Sequence, residues 1–243
     1  MNGHIRPFCT GVSGIKRAVF LYSMRMPIRP DRILFEDDHL LIVNKLEGEL
    51  VVAAGGFGKK PLFDFLKKDY PTLRVVHRLD FGTSGIIVFG KTAEAVRNIR
   101  AKEFKGWVKT YRALAAGYMD RKSGTIDRSL AARTSKDLIP AVSHFKVIET
   151  FPTASYVEVK IDTGRKHQIR QHLKFIGHPL LLDPLYGNQE QDKLFKKHFK
   201  YHRFFLHAYS LDLPHPITGE KLHIEAPISP VFEKVLRELR AKK

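Results

Sequence analysis

Asp80 is the residue to which this chain most readily assigns chemistry. It lies in His77-Arg78-Leu79-Asp80-Phe81-Gly82-Thr83-Ser84-Gly85, a charged, glycine-punctuated stretch between two short apolar runs, Val75-Val76 and Ile86-Ile87-Val88-Phe89. Functional groups are often carried on such loops, held by rigid flanks. Arg78, two residues away, is expected to keep the carboxylate ionised and to orient it through charge-assisted hydrogen bonds. An ionised carboxylate at a loop tip can act as nucleophile or base. Read alone, the same residues also describe a turn aspartate with a surface ion pair.

A second group follows Thr163-Gly164, a turn that leads into a helix whose first turns carry Arg165, His167, Gln168 and Arg170. Helix N-termini bind anions, so cations gathered there imply an anionic partner; the plain alternative is a solvated basic face. His167 and His172 are five residues apart, on different helix faces, with no acidic neighbour in sequence, so no metal is expected. Tyr111 sits on a strand just after Lys109. It reads either as a core aromatic or as a stacking surface for a base.

These groups need elements to position them. Two strands are expected around the polar turn at 36–39, then a short helix over 61–68 that buries Leu62, Phe65 and Leu66. Thr92 caps a helix running to about Phe104. Strands follow over 109–116, 142–148 and 155–161, the last with Val157, Val159 and Ile161 on one face and Tyr156, Glu158 and Lys160 on the other. From Arg165 the period changes to 3.6. Ile169, Leu173 and Ile176 form the apolar stripe, Gly177 closes the helix, and His167, Arg170 and Lys174 lie on a neighbouring polar face. Strands over 208–213 and 221–224 and a helix opened by Ser229-Pro230, with Phe232, Val235, Leu236 and Leu239 inward, complete the chain. Strands come in runs without strict βαβ alternation. The expected class is α+β: a mixed, largely antiparallel sheet with packed helices.

The 243 residues carry 42 Lys plus Arg against 25 Asp plus Glu, a formal net charge of +17, with a pI of about 9.9. A polyanionic partner is the leading inference. Basic residues cluster over 97–109, 121–136 and 193–203; the last is interleaved with Phe195, Phe199 and Tyr201. One cysteine, Cys9, rules out an internal disulfide and a cysteine-based zinc site. No apolar stretch approaches the roughly 20 residues of a membrane span, and no secretion signal is legible, so the cytoplasm is expected. The first acid is Asp31, and residues 1–30 read as a basic extension outside the fold, leaving 31–243 as the folded domain.

Taken in order, His77-Arg78-Leu79-Asp80 with Thr83-Ser84-Gly85, Lys109-Thr110-Tyr111, Thr163 to Arg170, Gly177-His178-Pro179, Asp183, Tyr186-Gly187, Leu206-His207-Ala208 and His215-Pro216 resemble the RluA-type pseudouridine synthase family. The resemblance runs from about Ile33 to the C-terminal helix. It implies isomerisation of uridine to pseudouridine within structured ribosomal or transfer RNA, by a monomer, without cofactor or metal. It implies a catalytic domain on a mostly antiparallel sheet with a central RNA-binding cleft. By motif, Asp80 corresponds to the catalytic aspartate, Arg78 to the arginine beside it, Tyr111 to the active-site tyrosine, and Arg170 to the arginine that pairs with the aspartate. His77, Thr83, Lys109, Arg165, His167, Gln168 and Lys174 are then expected to contact RNA.

Two positions depart from the family pattern. Lys45-Leu46-Glu47-Gly48 has Leu46 where proline is usual, and Leu182 stands where glycine usually precedes Asp183. Both bear on local turns, not on the aspartate motif. Many relatives also carry an S4-type RNA-binding domain, and about 30 residues before the first strand are too few for one, so target recognition is expected on the catalytic domain itself. The competing classes are a non-catalytic RNA-binding protein on the same fold and a DNA-binding module. The latter lacks a helix-turn-helix or zinc pattern.

Overall fold

The computed structural model describes residues 28–53, 58, 60–132, 135 and 137–242. Strands β1 (Ile33–Glu36) and β2 (Leu40–Lys45) form the expected hairpin, followed by helix α1 (Leu62–Leu66) and strands β3 (Arg74–Val75) and β4 (Ser84–Gly90). Helix α2 (Ala93–Ala101) leads to β5 (Val108–Ala116), β6 (Ser123–Asp127), β7 (Leu130–Ala131), β8 (Leu138–Ile139), β9 (Val142–Thr150) and β10 (Ala154–Ile161). Helices α3 (Gln168–Phe175) and α4 (Gln189–Phe199), strands β11 (Leu206–Pro214) and β12 (Lys221–Glu225), and helix α5 (Pro230–Arg240) follow.

The main sheet runs β1-β2-β4-β11-β5-β10-β9-β6, with β3 paired to β4 and β12 to β11. Among the described strands only β4 and β11 pair in parallel, through His207 opposite Ser84 and Ala208 opposite Gly85. Gly85 is dictated there. Its φ is +103°, and a Cβ would lie 2.2 Å from the Ala208 carbonyl oxygen, so only glycine lets the two backbones meet. All of β4 is buried because both faces are covered. Ile86 and Val88 pack with Leu40, Ile42, Ile99 and Trp107; Ile87 and Phe89 pack with Leu41, Val43, Leu62 and Leu66. An unbroken apolar run is the pattern of such a doubly covered strand.

The second half of the sheet is layered the same way. Val157, Val159 and Ile161 meet Ile169 and Leu173 of α3, as the alternation predicts. Tyr156, on the opposite face, is also buried, because α5 covers it with Phe232, Val235, Leu236 and Leu239. Helix starts behave as their caps require: the Thr92 hydroxyl accepts from the Ala95 amide, and Ser229 from that of Phe232.

Several expectations are corrected. The helix from Thr92 ends at Ala101, and in α1 Phe65 faces solvent while Leu62 and Leu66 are buried. Helix α4 falls on residues read as a basic and aromatic surface cluster. Phe195 instead packs on Phe199 and Phe205, and Tyr201 on Phe205, so these aromatics are core. Ile28 is buried among Leu41, Val43 and Leu62, so the folded unit takes in residues assigned to the extension. Residues 1–27, and most of the Gly-rich loop at 55–60, lie outside the described residues.

The two departures from the family pattern have local accommodations. The Leu46 amide, a donor that proline would lack, donates to Glu49 at 2.9 Å, and Glu49 pairs with the buried Arg32. Leu182 adopts φ +64° with its side chain in the core and its amide donating to Asp192. That left-handed backbone costs a non-glycine residue about 1–2 kcal/mol. Removing a buried leucine side chain costs about 2–5 kcal/mol. Leu182→Gly is therefore expected to be destabilising by about 1–3 kcal/mol in urea unfolding, the net of those two effects. A rise in stability would mean that backbone strain outweighs packing here.

Candidate active site

Asp80 is fixed from below before anything approaches it from above. The Lys45 side chain is fully buried at the end of β2, where its ammonium donates to the carbonyls of Leu46, Phe81 and Thr83. The Thr83 amide closes the turn onto the Asp80 carbonyl at 3.0 Å, and the Gly48 amide donates to the Phe81 carbonyl. Burial pushes the Lys45 ammonium down to about 8. One cation thus ties the carbonyls of a loop that carries the carboxylate. The sequence reading assigned Lys45 no role. Its signals were its place in the Lys45-Leu46-Glu47-Gly48 segment, where only the missing proline drew notice, and its position just after the apolar run Leu40 to Val43.

The carboxylate meets α3 from the other side. Arg170 donates from Nη1 to Asp80 Oδ2 at 3.0 Å, and from Nε and Nη2 to the two oxygens of Asp183 at 2.7 and 2.8 Å. Its guanidinium lies over the rings of Tyr186 and Phe204, 5.1 and 4.7 Å from their centroids. Arg170 is thus buried rather than on a solvated polar face. Burial alone would raise the Asp183 carboxyl. The Arg170 hydrogen bonds and the amides of Leu185 and Tyr186 more than offset that and hold it below the usual carboxylate range.

A cleft of about 570 Å³ opens in front of Asp80, whose side chain is about one-third exposed. Arg78, Tyr111 and Arg170 line it with Asp80, as do His77, Thr83, Lys109, Arg165, His167 and Gln168. Lys174 does not; it sits outside on the exposed face of α3, 5.8 Å from the Tyr186 ring. Burial, and then the Asp80 charge, push the Tyr111 phenol well above its usual value. It is a neutral phenol at pH 7, able to donate a proton or a hydrogen bond. Phe104 and Trp107 form an aromatic wall at 90° to each other, and the Lys109 ammonium lies over both rings. Neither aromatic was singled out in the sequence.

Three of the predicted contact residues are turned inward. His77 accepts the Val88 amide at Nε2 and meets Trp107 edge-on; burial, then Lys109, push it down to about 3, so it is neutral. Gln168 accepts from Thr163 and the Arg165 amide and donates to Val142 and Ser143, which uses both ends of its amide. Thr83 is buried. These residues shape the cleft wall. His172 is likewise internal, between Ser143 and the Arg128 carbonyl.

The site therefore holds a carboxylate with one oxygen tied and one open, a neutral phenol, and an aromatic wall. Arg78, Arg100, Lys109 and Arg165 line it with no carboxylate ion pair among the described residues, so the expected orientation of Asp80 by Arg78 is corrected: Arg170, from α3, makes that pair. Such a site can attack or deprotonate a ring held against the wall while cations hold an anionic backbone.

Comparison with known proteins points the same way. The family described as RNA pseudouridylate synthase matches residues 39–175. The chain is 35% identical over 223 residues to the ribosomal large subunit pseudouridine synthase C of Vibrio vulnificus (strain CMCP6), covering 88% of this chain and 70% of that protein. It is 34% identical over 239 residues to the protein of the same name from Escherichia coli (strain K12), covering 93% and 75%. The fold is similar to that of human RNA pseudouridylate synthase domain containing 4, with a TM-score of 0.71 at 24% identity over 86% of this chain and 92% of that one.

Proposed function

The chain belongs to the RNA pseudouridylate synthase family, and from that premise we propose that it isomerises a uridine of large-subunit ribosomal RNA, with Asp80 as the reacting carboxylate. The observation that carries the assignment is the asymmetry of Asp80: one oxygen is held by Arg170, the other faces the cleft. The reaction breaks the ribose C1′–N1 bond and forms a C1′–C5 bond. The ring loses the C5 proton and gains one at N1, so nothing is oxidised and nothing consumed. Asp80 either attacks the sugar or removes a ribose proton; Tyr111, kept neutral, backs the base at the same position. The target must leave its stack, at a cost of a few kcal/mol. Phosphate contacts from the cleft cations and stacking on the aromatic wall offset that cost. The ribosomal substrate is supported by the names of the relatives at 34–35% identity. We place the enzyme in the cytoplasm, acting as a monomer without a cofactor. No helix among the described residues is long and apolar enough to cross a membrane.

The direct test maps pseudouridine in ribosomal and transfer RNA from cells with and without the gene. A ribosomal site that disappears on deletion, and returns with the wild-type gene but not with Asp80→Ala, is the expected result. Loss confined to transfer RNA would overturn the substrate assignment.

The cleft charges make a second prediction. If Arg78, Arg100, Lys109 and Arg165 each neutralise one phosphate, log affinity for RNA should fall with log salt with a slope of about −3. A slope near zero in filter binding between 50 and 200 mM salt, about the range where this dependence is usually read, would mean that the charge only solvates the fold.

A further inference from the structure

His167 approaches the open side of Asp80, with Nε2 3.6 Å from Oδ1, and it does so from a backbone conformation with a cost. It precedes α3 at φ +53°, ψ +27°, the left-handed region. Such conformations persist when the surroundings hold them, and they cluster at functional sites. Two groups hold this one. The Tyr186 hydroxyl is 3.1 Å from Nδ1, and Asp80 Oδ1 is 3.6 Å from Nε2. The Tyr186 and His167 rings also meet edge to face at 5.7 Å.

These contacts fix which ring nitrogen carries the proton. Burial pushes both the Tyr186 phenol up and the His167 imidazole down, so at pH 7 both are neutral. A neutral imidazole has one N–H and one lone pair. A lone pair at Nε2 would face the Asp80 carboxylate and repel it. With the proton on Nε2, the ring offers an N–H to Oδ1, while Nδ1 accepts from the phenol. At 3.6 Å the Nε2 contact is too long for a hydrogen bond. Catalytic hydrogen bonds often tighten only when substrate is bound.

We propose that His167, held with its proton on Nε2 by Tyr186, is a positioning residue that aims Asp80 Oδ1, and that Oδ1 is the oxygen that reacts. The inference rests on Asp80 being the reacting carboxylate. Oδ2 is spoken for by Arg170, and Oδ1 accepts no hydrogen bond among the described residues. Asp80 swings about the Arg170 contact unless something stops Oδ1, and His167 stands where it stops. The charged and titratable groups facing the imidazole are Asp80, Arg170, Lys166, Asp183 and Tyr186. Among the charged ones, Asp80 favours the protonated ring most strongly.

Two measurements decide it. Nitrogen-15 NMR of the wild-type protein labelled at histidine reads the His167 tautomer without any turnover. Protonated Nε2 and unprotonated Nδ1 near pH 7.5 are expected, and Asp80→Asn should lower the pH at which the ring titrates. A proton on Nδ1, or a titration unmoved by Asp80→Asn, would overturn the proposal. In single-turnover assays at saturating RNA, His167→Ala should slow conversion about a hundredfold, the scale of a misplaced reacting group, far more than any few-fold loss of RNA affinity that its place in the cleft lining brings. His167→Gln, which restores an N–H donor, should recover about tenfold of that loss, and Tyr186→Phe should add little to His167→Ala, as coupled partners do. An alanine variant that folds and reacts at the wild-type rate refutes the role. If wild-type protein converts no ribosomal RNA, it is the substrate reading that fails, and the NMR result still decides the geometry.

Discussion

Asp80→Ala is expected to remove isomerisation, by about 10⁴-fold or more in single-turnover rate, equivalent to over 5 kcal/mol of barrier, while RNA affinity stays within a few-fold. The site explains why the two effects separate. Asp80 contributes no cation to the cleft, so phosphate contacts survive its loss. Nor does its removal strand the buried guanidinium, because Arg170 keeps both bonds to Asp183, whose side chain is fully buried. The freed Nη1 faces the open cleft and can be hydrated. Asp183→Ala is the contrasting variant. It takes two of the three carboxylate bonds from a buried cation, a change that costs about 3–5 kcal/mol where one partner of a buried pair is removed. Both variants should be inactive, but only Asp183→Ala should shift the urea midpoint substantially. Appreciable residual turnover by Asp80→Ala would remove the aspartate from the chemistry, and unchanged stability of Asp183→Ala would mean that Arg170 finds another partner.

Acid should destabilise this protein before its carboxylates titrate. Burial pushes His77 down to about 3 and His207 down to about 4. Both rings are committed: His77 accepts the Val88 amide, and His207 bridges the Ser84 hydroxyl at 2.8 Å and the Ala226 carbonyl at 3.1 Å. In the unfolded chain each titrates near 6.5. The unfolded state therefore binds more protons below that pH, and folding stability falls as pH drops through the window down to the folded values. From pH 6.5, where the unfolded ring is half protonated, to pH 5, each ring removes about 1.6 kcal/mol, the slope approaching about 1.36 kcal/mol per pH unit only at the acid end. The pair removes about 3 kcal/mol from a total that for most proteins is about 5–15 kcal/mol. Burial lowers His167 and His172 in the same sense. His223, raised by Asp212, acts oppositely, but it is exposed and screened. Chemical denaturation at the two pH values checks this. A loss below about 1 kcal/mol, roughly a third of what the pair predicts, would show that the histidines are hydrated in the fold. His207→Gln cannot take up the proton and should flatten the slope by about one proton while costing stability at pH 7.

Local pattern made the groups that line the cleft visible, and distance in sequence hid what holds them. Asp80, Tyr111 and Arg170 were readable from short motifs, and Val157, Val159 and Ile161 from simple alternation. Arg170 was read onto a polar face because helical periodicity carries no sign of Asp183, thirteen positions later and on another segment. Lys45 was given no role because a lysine at a strand end ordinarily faces water; here two carbonyls from a loop 36 and 38 residues away, with that of the adjacent Leu46, replace the water. Trp107 and Phe104 wall the cleft from a turn with no repeating pattern. Helix α4 buries little beyond Asp192 and Phe195, so its apolar signal was too thin to separate from its charge. The edge strand β6 failed for the same reason: of its five residues only Ile126 is buried.

The order of strands carries a consequence for the protein while it is being made. β11 lies between β4 and β5, yet it is synthesised after every other strand except β12. Until about residue 214 has emerged, the nascent chain has two separate ribbons, one ending at β4 and one at β5, each with an unsatisfied flank of amides and carbonyls. Such flanks recruit other strands, and domains emerging at about 5–20 residues per second leave them open for seconds or longer. The same late strand supplies His207 to Ser84, just beyond the aspartate loop, and brings that loop's ribbon alongside the one that carries α3. A growing chain thus cannot align Asp80 with Arg170, ninety positions apart. Competence for chemistry arrives with the closing strand, so premature termination upstream of β11 yields aggregation-prone polypeptide, never a partly active enzyme.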